Sequence, residues 1–213
     1  MFWNSRFSWW LLIVVVVGDF AVPGVLSLFY KGYSRTRMEM SELGSRGSPV
    51  RLPSSIWLVV QGGLLSLSAV NLYLRYRGMS PATAAALMAV MLVFAAGSGF
   101  IGGLFRLHDS QEIITAGSTV HVLGAVFGLS SLVFEPLLLG VLMFREGDAL
   151  LGGMSTVCFA AALGCLLLLL LAKRPRVRHR IFGLIGLWER AAVAFMYLPL
   201  FSVAVKNIIA QSQ

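Results

Sequence analysis

Charge is what this sequence has least of. Only 12% of its 213 residues are Asp, Glu, Lys or Arg, while 58% are hydrophobic. A soluble domain carries roughly a quarter charged residues. The deficit excludes an ordinary water-facing surface and fits a chain whose solvent is mostly lipid. Acidic residues are the scarcer sign, nine against 17 Lys and Arg, for a net charge of +8. In a membrane protein such an excess belongs in loops facing anionic headgroups and the cytoplasm. Nucleic acid is not an expected partner, because the basic residues form short clusters between apolar runs, with no soluble domain to present them. Cysteine is nearly missing too. Cys158 and Cys165 lie seven residues apart in one apolar run, so they share a helix face and cannot easily bridge. No Cys-x-x-Cys spacing exists. Phosphate-loop, dinucleotide and nucleophile-elbow motifs are absent, so cytosolic-style catalysis has no support and no cofactor is expected.

What is present is six apolar runs, each near the ~20 residues that a membrane-crossing helix needs. They fall at about 7–29, 55–74, 82–105, 117–144, 151–172 and 181–205. The expected fold is all-α, an integral membrane bundle of six transmembrane helices forming one domain over 1–213, multi-pass in a cell membrane. Pro136 is a candidate kink in the fourth run. The first run does not read as a signal peptide: only Arg6 is basic before it, it exceeds a usual h-region, and no small-x-small cleavage site follows. Trp9, Trp10, Trp57 and Trp188 fall near helix ends, where interfacial rings are favoured. The odd-numbered loops hold eleven Lys and Arg, against five on the opposite side. That count favours the odd loops inside.

Helix contacts in lipid rely on small residues. Gly99 and Gly103, and Ser98 with Gly102, form small-x-x-x-small pairs. Gly117, His121, Gly124 and Gly128 form one stripe by the 3.6-residue period, which turns His121 inward.

A charge at the bilayer centre costs about 2.5–3.5 kcal/mol on insertion scales. Asp19, Glu135, Glu189 and Arg190 therefore need partners or a purpose. Counted from the odd loops, Asp19 and Arg190 sit at similar depth, so an Asp19–Arg190 pair is expected. His121 is shallower on the same side. Glu135 is nearer the fourth loop and separate. The third loop adds His108, Asp109 and Glu112, and the first adds Glu39 and Glu42. Ionisable groups thus converge on one half of the bundle, as either a polar cavity or a structural network. His179 lies in a basic run and reads as a surface residue.

The first loop reads Gly32-Tyr33, Met40-Ser41-Glu42-Leu43-Gly44 and Gly47-Ser48-Pro49, with Trp57 and Gly62 following. With Gly99, Gly103, Phe105, Asp109 and His121, and with Gly186 four residues before Arg190, this resembles the prokaryotic membrane family called domain of unknown function 998. The resemblance covers nearly the whole chain. It implies six helices and a Ser-Glu-Leu-Gly loop after the first, but no activity. It also implies that the motif loop lies outside, against the charge count, so orientation stays open. Arg106 stands where the family pattern has proline, and an Asp expected near Tyr33 is missing. Any activity needing that Asp is in doubt.

Three functional classes follow. The first is a protein that binds or processes a lipid or amphipathic ligand in a polar cavity at one membrane face. Its candidate catalytic residues are His121, Glu42 and Asp109; its candidate ligand-binding residues are Arg190, Glu189, His121, Ser41 and Glu42. His121 would act as general base, an acid would orient it, and Arg190 would hold a phosphate or carboxylate. No metal is expected, because a zinc site of the membrane-hydrolase kind wants three inward histidines. The second class is a scaffold or assembly factor, with a membrane-protein partner or a second copy on the small-residue faces. The third is a small oligomeric transporter using Asp19–Arg190 as a proton relay, although no inverted repeat is visible.

Overall fold

The computed structural model describes residues 2–105, 115–173 and 183–212. In lipid, backbone N–H and C=O groups must be satisfied within the segment, so long apolar runs become helices. Six spans result: Arg6–Phe29, Arg51–Tyr76, Pro81–Leu104, Ala116–Arg145, Ala149–Ala172 and Ile185–Ala210. No strand occurs among the described residues. The chain is an all-α bundle with six helices long and apolar enough to cross a membrane. Ile181, where the sixth run was expected to begin, lies outside the described residues.

Helix α1 (Arg6–Leu26) starts at Ser5, whose hydroxyl accepts the Ser8 N–H. It ends in a tighter turn, Ser27–Phe29. Helix α2 is Arg51–Tyr76. Helix α3, Pro81–Leu104, opens on a proline, which suits a first turn because the missing N–H would have no partner there. Residues Ala95–Ile101 within α3 form a wider, π-helical turn.

The fourth span is two helices, α4 (Ala116–Leu132) and α5 (Glu135–Arg145). The break falls at Val133 and Phe134, just before Pro136. A proline ring clashes with the carbonyl four residues back, here Leu132, the last residue of α4. Pro136 therefore sits in the first turn of a new helix. Helix α6 is Ala149–Ala172, capped by Asp148, and α7 is Ile185–Ala210.

Helix α2 packs on α1 and α3, and α7 packs on α6 and α1. The two halves of the fourth span part company. Helix α4 leans on α3, whereas α5 packs on α6, α3 and α7. Leu65, Leu72, Tyr76, Leu87, Met91, Leu139, Met196 and Leu200 fill the interior. Phe7, Val14, Leu28, Phe127, Leu150 and Val157 point outward. An outside as apolar as the inside is what a lipid solvent permits.

The expected small-residue stripes hold α2, α3 and α4 together. A Cβ on Gly99 would come 2.7 Å from the Gly62 Cα, and one on Gly103 would come 2.7 Å from the Ser55 carbonyl oxygen. A Cβ on Gly97 would collide with the Gly124 carbonyl, and one on Gly128 would lie 2.6 Å from the Ser98 hydroxyl. Gly117 makes no such close contact.

Trp9 and Trp57 depart from their expected interfacial places. Trp9 is fully buried in the core. Trp57 turns inward, its ring lying where a Gly18 side chain would be, and its indole N–H donates to Asp19. A buried carboxylate outbids the headgroup region for that donor. Both cysteines are free.

Candidate functional site

A cavity of about 140 Å³ opens toward the first-loop end of the bundle. Its floor is polar. Asp19, 5% exposed, accepts three neutral donors: the Trp57 indole N–H at 3.2 Å, the Gln61 amide N–H at 3.1 Å and the Tyr197 hydroxyl at 2.9 Å. Gln61 is 1% exposed, and its carbonyl oxygen has no hydrogen-bond partner. The buried Ser98 hydroxyl, also on the cavity wall, has none either. The π-helical turn carries Ser98, so the irregular backbone sits at the cavity, as such turns frequently do at functional sites.

One side wall is apolar. Val122, Ala125, Val126 and Leu129 come from α4, and Leu166, Leu169 and Leu170 from α6. Val122, Val126 and Leu170 are also close to half exposed on the bundle surface. The cavity therefore reaches the lipid-facing side between α4 and α6, where the fourth span has swung onto α3.

The mouth is charged. Lys173 and Glu39 form an ion pair at 2.5 Å, and Glu189 lies beside them. The first loop closes over this end as a short 3-10 helix, Met40–Gly44. Glu42 accepts the Glu39 N–H at 2.9 Å and so caps that helix. Burial pushes the Glu42 carboxyl above its ordinary value of 4.5, and burial likewise raises the Tyr33 phenol. Two neighbouring side chains of α7 staple the loop. Glu189 accepts the Met40 N–H at 2.7 Å. Arg190 donates to the carbonyls of Arg35, Met38 and Gly186 and to the Tyr33 hydroxyl at 2.6 Å. A Cβ on Gly186 would strike the Met38 carbonyl, so a glycine is required where the loop crosses the helix.

The expected Asp19–Arg190 pair does not form. Equal depth does not mean equal direction: Asp19 faces neutral donors inside the bundle, and Arg190 spends its donors on the first loop.

Among the predicted site residues, His121, Glu189 and Ser41 line the cavity. His121 is buried, with Nδ1 2.7 Å from the Phe105 carbonyl. A carbonyl oxygen only accepts, so Nδ1 is the donor in that contact. Glu42 and Arg190 stand behind the cavity and hold its roof. Asp109, His108, Glu112 and His179 lie outside the described residues. No group of three His, Cys, Asp or Glu that could hold a metal ion occurs among the described residues.

Sequence reasoning followed the charged groups and the first-loop motif; it missed Gln61 and Tyr197 and read Ser98 as a packing residue. A Gln midway along an apolar run was the available signal.

A protein-family model described as "Protein of unknown function (DUF998)" matches residues 8–206. The chain belongs to this family. The first-loop motif that resembles the family is, in this DUF998 member, the roof of the cavity, and Gly186 with Arg190 is the staple that fixes it. No curated protein and no solved structure matches the chain.

Proposed function

We propose that this DUF998 protein binds the headgroup end of a lipid or other amphiphile in the cavity beneath its first loop. One observation carries the reading. The same space has a floor of buried polar groups and a side wall that reaches the lipid-facing surface between α4 and α6. Ligand sites are usually concave and mostly apolar, with a few convergent polar groups, and an amphiphile satisfies both parts of this one. His121, its ring held by the Phe105 carbonyl, is the candidate general base should the bound molecule be processed. The scaffold reading gains nothing from Gly99, Gly103, Gly124 and Gly128, because α2, α3 and α4 already use those faces on each other. The transporter reading loses the ion pair that motivated it.

Native mass spectrometry of the protein released from membranes in mild detergent tests the proposal. The expected result is a retained lipid whose occupancy falls in Ala125→Phe, which fills the apolar wall. Bare protein, or lipid retained equally by Ala125→Phe, overturns it.

A further inference from the structure

The buried polar groups on the cavity floor are short of hydrogen, not of oxygen. Asp19 has three neutral donors and, among the described residues, no cation within ion-pair distance. The Gln61 carbonyl oxygen is buried without a donor. Glu189 takes one backbone N–H, from Met40. Lys173, the one cation on the lining among the described residues, is matched to Glu39. Arg190, beside Glu189, is committed to the loop carbonyls and does not line the space. Buried acceptors without donors are costly, and a buried anion without a counter-charge is costlier. A ligand bringing N–H donors on a positive charge offsets both.

We infer that the headgroup taken by this cavity carries a hydrogen-bonding ammonium, seated against Asp19 and the Gln61 carbonyl, and is not an anionic headgroup. The inference rests on the amphiphile reading above and narrows it. It reverses the role first expected for Arg190, that of holding a phosphate or carboxylate. The α1 residue Asp19 lies ten positions from the loop end of its span, Phe29, about 15 Å down at the helical rise. The ammonium would therefore sit well below the headgroup plane. The source could be an amine-bearing lipid or a free amine, and the two are separable.

The test is native mass spectrometry of the full chain with dihexanoyl-phosphatidylethanolamine, -phosphatidylcholine and -phosphatidylglycerol at equal concentration. Hexylamine and ethanolamine serve as competitors. The ethanolamine lipid should be retained about tenfold over the glycerol lipid, the size of one charge-assisted hydrogen bond. The choline lipid, cationic but without N–H, should fall between them. Asp19→Asn should abolish the preference, and Glu146→Gln, outside the cavity in the ion pairs with Arg75 and Lys206, should leave it in place. Displacement by hexylamine but not ethanolamine supports a chain-bearing amine; equal displacement by ethanolamine supports a free amine in the same seat. Equal retention of ethanolamine and glycerol lipids by the wild type overturns the inference, whether or not Asp19→Asn folds. So does a preference that survives in well-folded Asp19→Asn. If instead no lipid is retained, or Ala125→Phe retains all three unchanged, the failure belongs to the cavity reading itself.

Discussion

The two ends of the bundle treat polar groups in opposite ways. At the end away from the first loop, charges close on each other. Glu146 accepts Arg75 at 2.6 Å and Lys206 at 2.9 Å, and Lys206 reaches Asp148 at 2.8 Å. Arg145 caps onto the Ser80 hydroxyl, and Gln211 ties the last helix to the Asn4 carbonyl. Arg75, Arg145 and Lys206 there each meet an acceptor. At the first-loop end the strong donors are drawn into the roof, and acceptors are left facing a space. The first arrangement seals an end against water; the second leaves a valence for something else to fill. Ion pairs tie the far end together, whereas Glu189 and Arg190 at the first-loop end hold the loop through its backbone.

Four substitutions probe that contrast. The largest effect should come from Gly124→Leu, which forces a side chain against the Gly97 carbonyl and the Ile101 side chain of α3. It should cost about 3 kcal/mol or more, read as loss of monodisperse protein or a sharp fall in Tm. Arg190→Ala should cost about 2 kcal/mol, by loss of several charge-assisted hydrogen bonds. That loss should appear as faster hydrogen exchange over residues 33–40 with little change at residues 145–148. Glu146→Gln at the sealed end should cost only about 1 kcal/mol at low salt, because Arg75 and Lys206 are over a third exposed and solvent screens the pairs. Its cost should shrink further as salt is added. Should Glu146→Gln prove more damaging than Gly124→Leu, the contrast fails.

The smallest effect is a difference of sign with pH. The Glu42 carboxyl is held above its ordinary value, chiefly by burial. Its contribution to stability is thus complete below 4.5 and is lost as pH rises through its folded value. Asp148 is held below its ordinary 3.8, first by the Lys206 hydrogen bond. Its contribution is present above 3.8 and is lost as pH falls through its folded value. Acidification should therefore tighten the first loop while loosening the sealed end. Hydrogen exchange on both segments, with Glu42→Gln flattening only the first response, checks this; parallel responses would refute it.

The fold was legible because lipid makes one demand, an apolar run of sufficient length, and six runs meet it. The break in the fourth was legible from Pro136, though not its place two residues earlier. The site was only half legible. Depth along a helix can be counted from sequence, and it drew attention to Asp19, His121 and Glu189, which line the cavity. Direction around the helix axis cannot be counted so simply, which is why Arg190 was matched to Asp19 and Trp57 was sent to the interface. Neutral polar residues such as Gln61 and Tyr197 carry no insertion cost large enough to flag them, yet they build the floor.

The staple on the first loop also sets an order of events. Met40 and Glu189 are 149 residues apart, and Tyr33 and Arg190 are 157 apart. At about 5–20 residues per second, the ribosome needs on the order of 10–30 s to make α7 after the loop has emerged. Through that interval the first loop lacks its α7 staple and keeps only nearer contacts, such as Arg35 on the Ser27 hydroxyl and the Gly24 carbonyl. The roof of the cavity is thus fastened only once α7 has been made, and a chain that stops short of α7 lacks the staple.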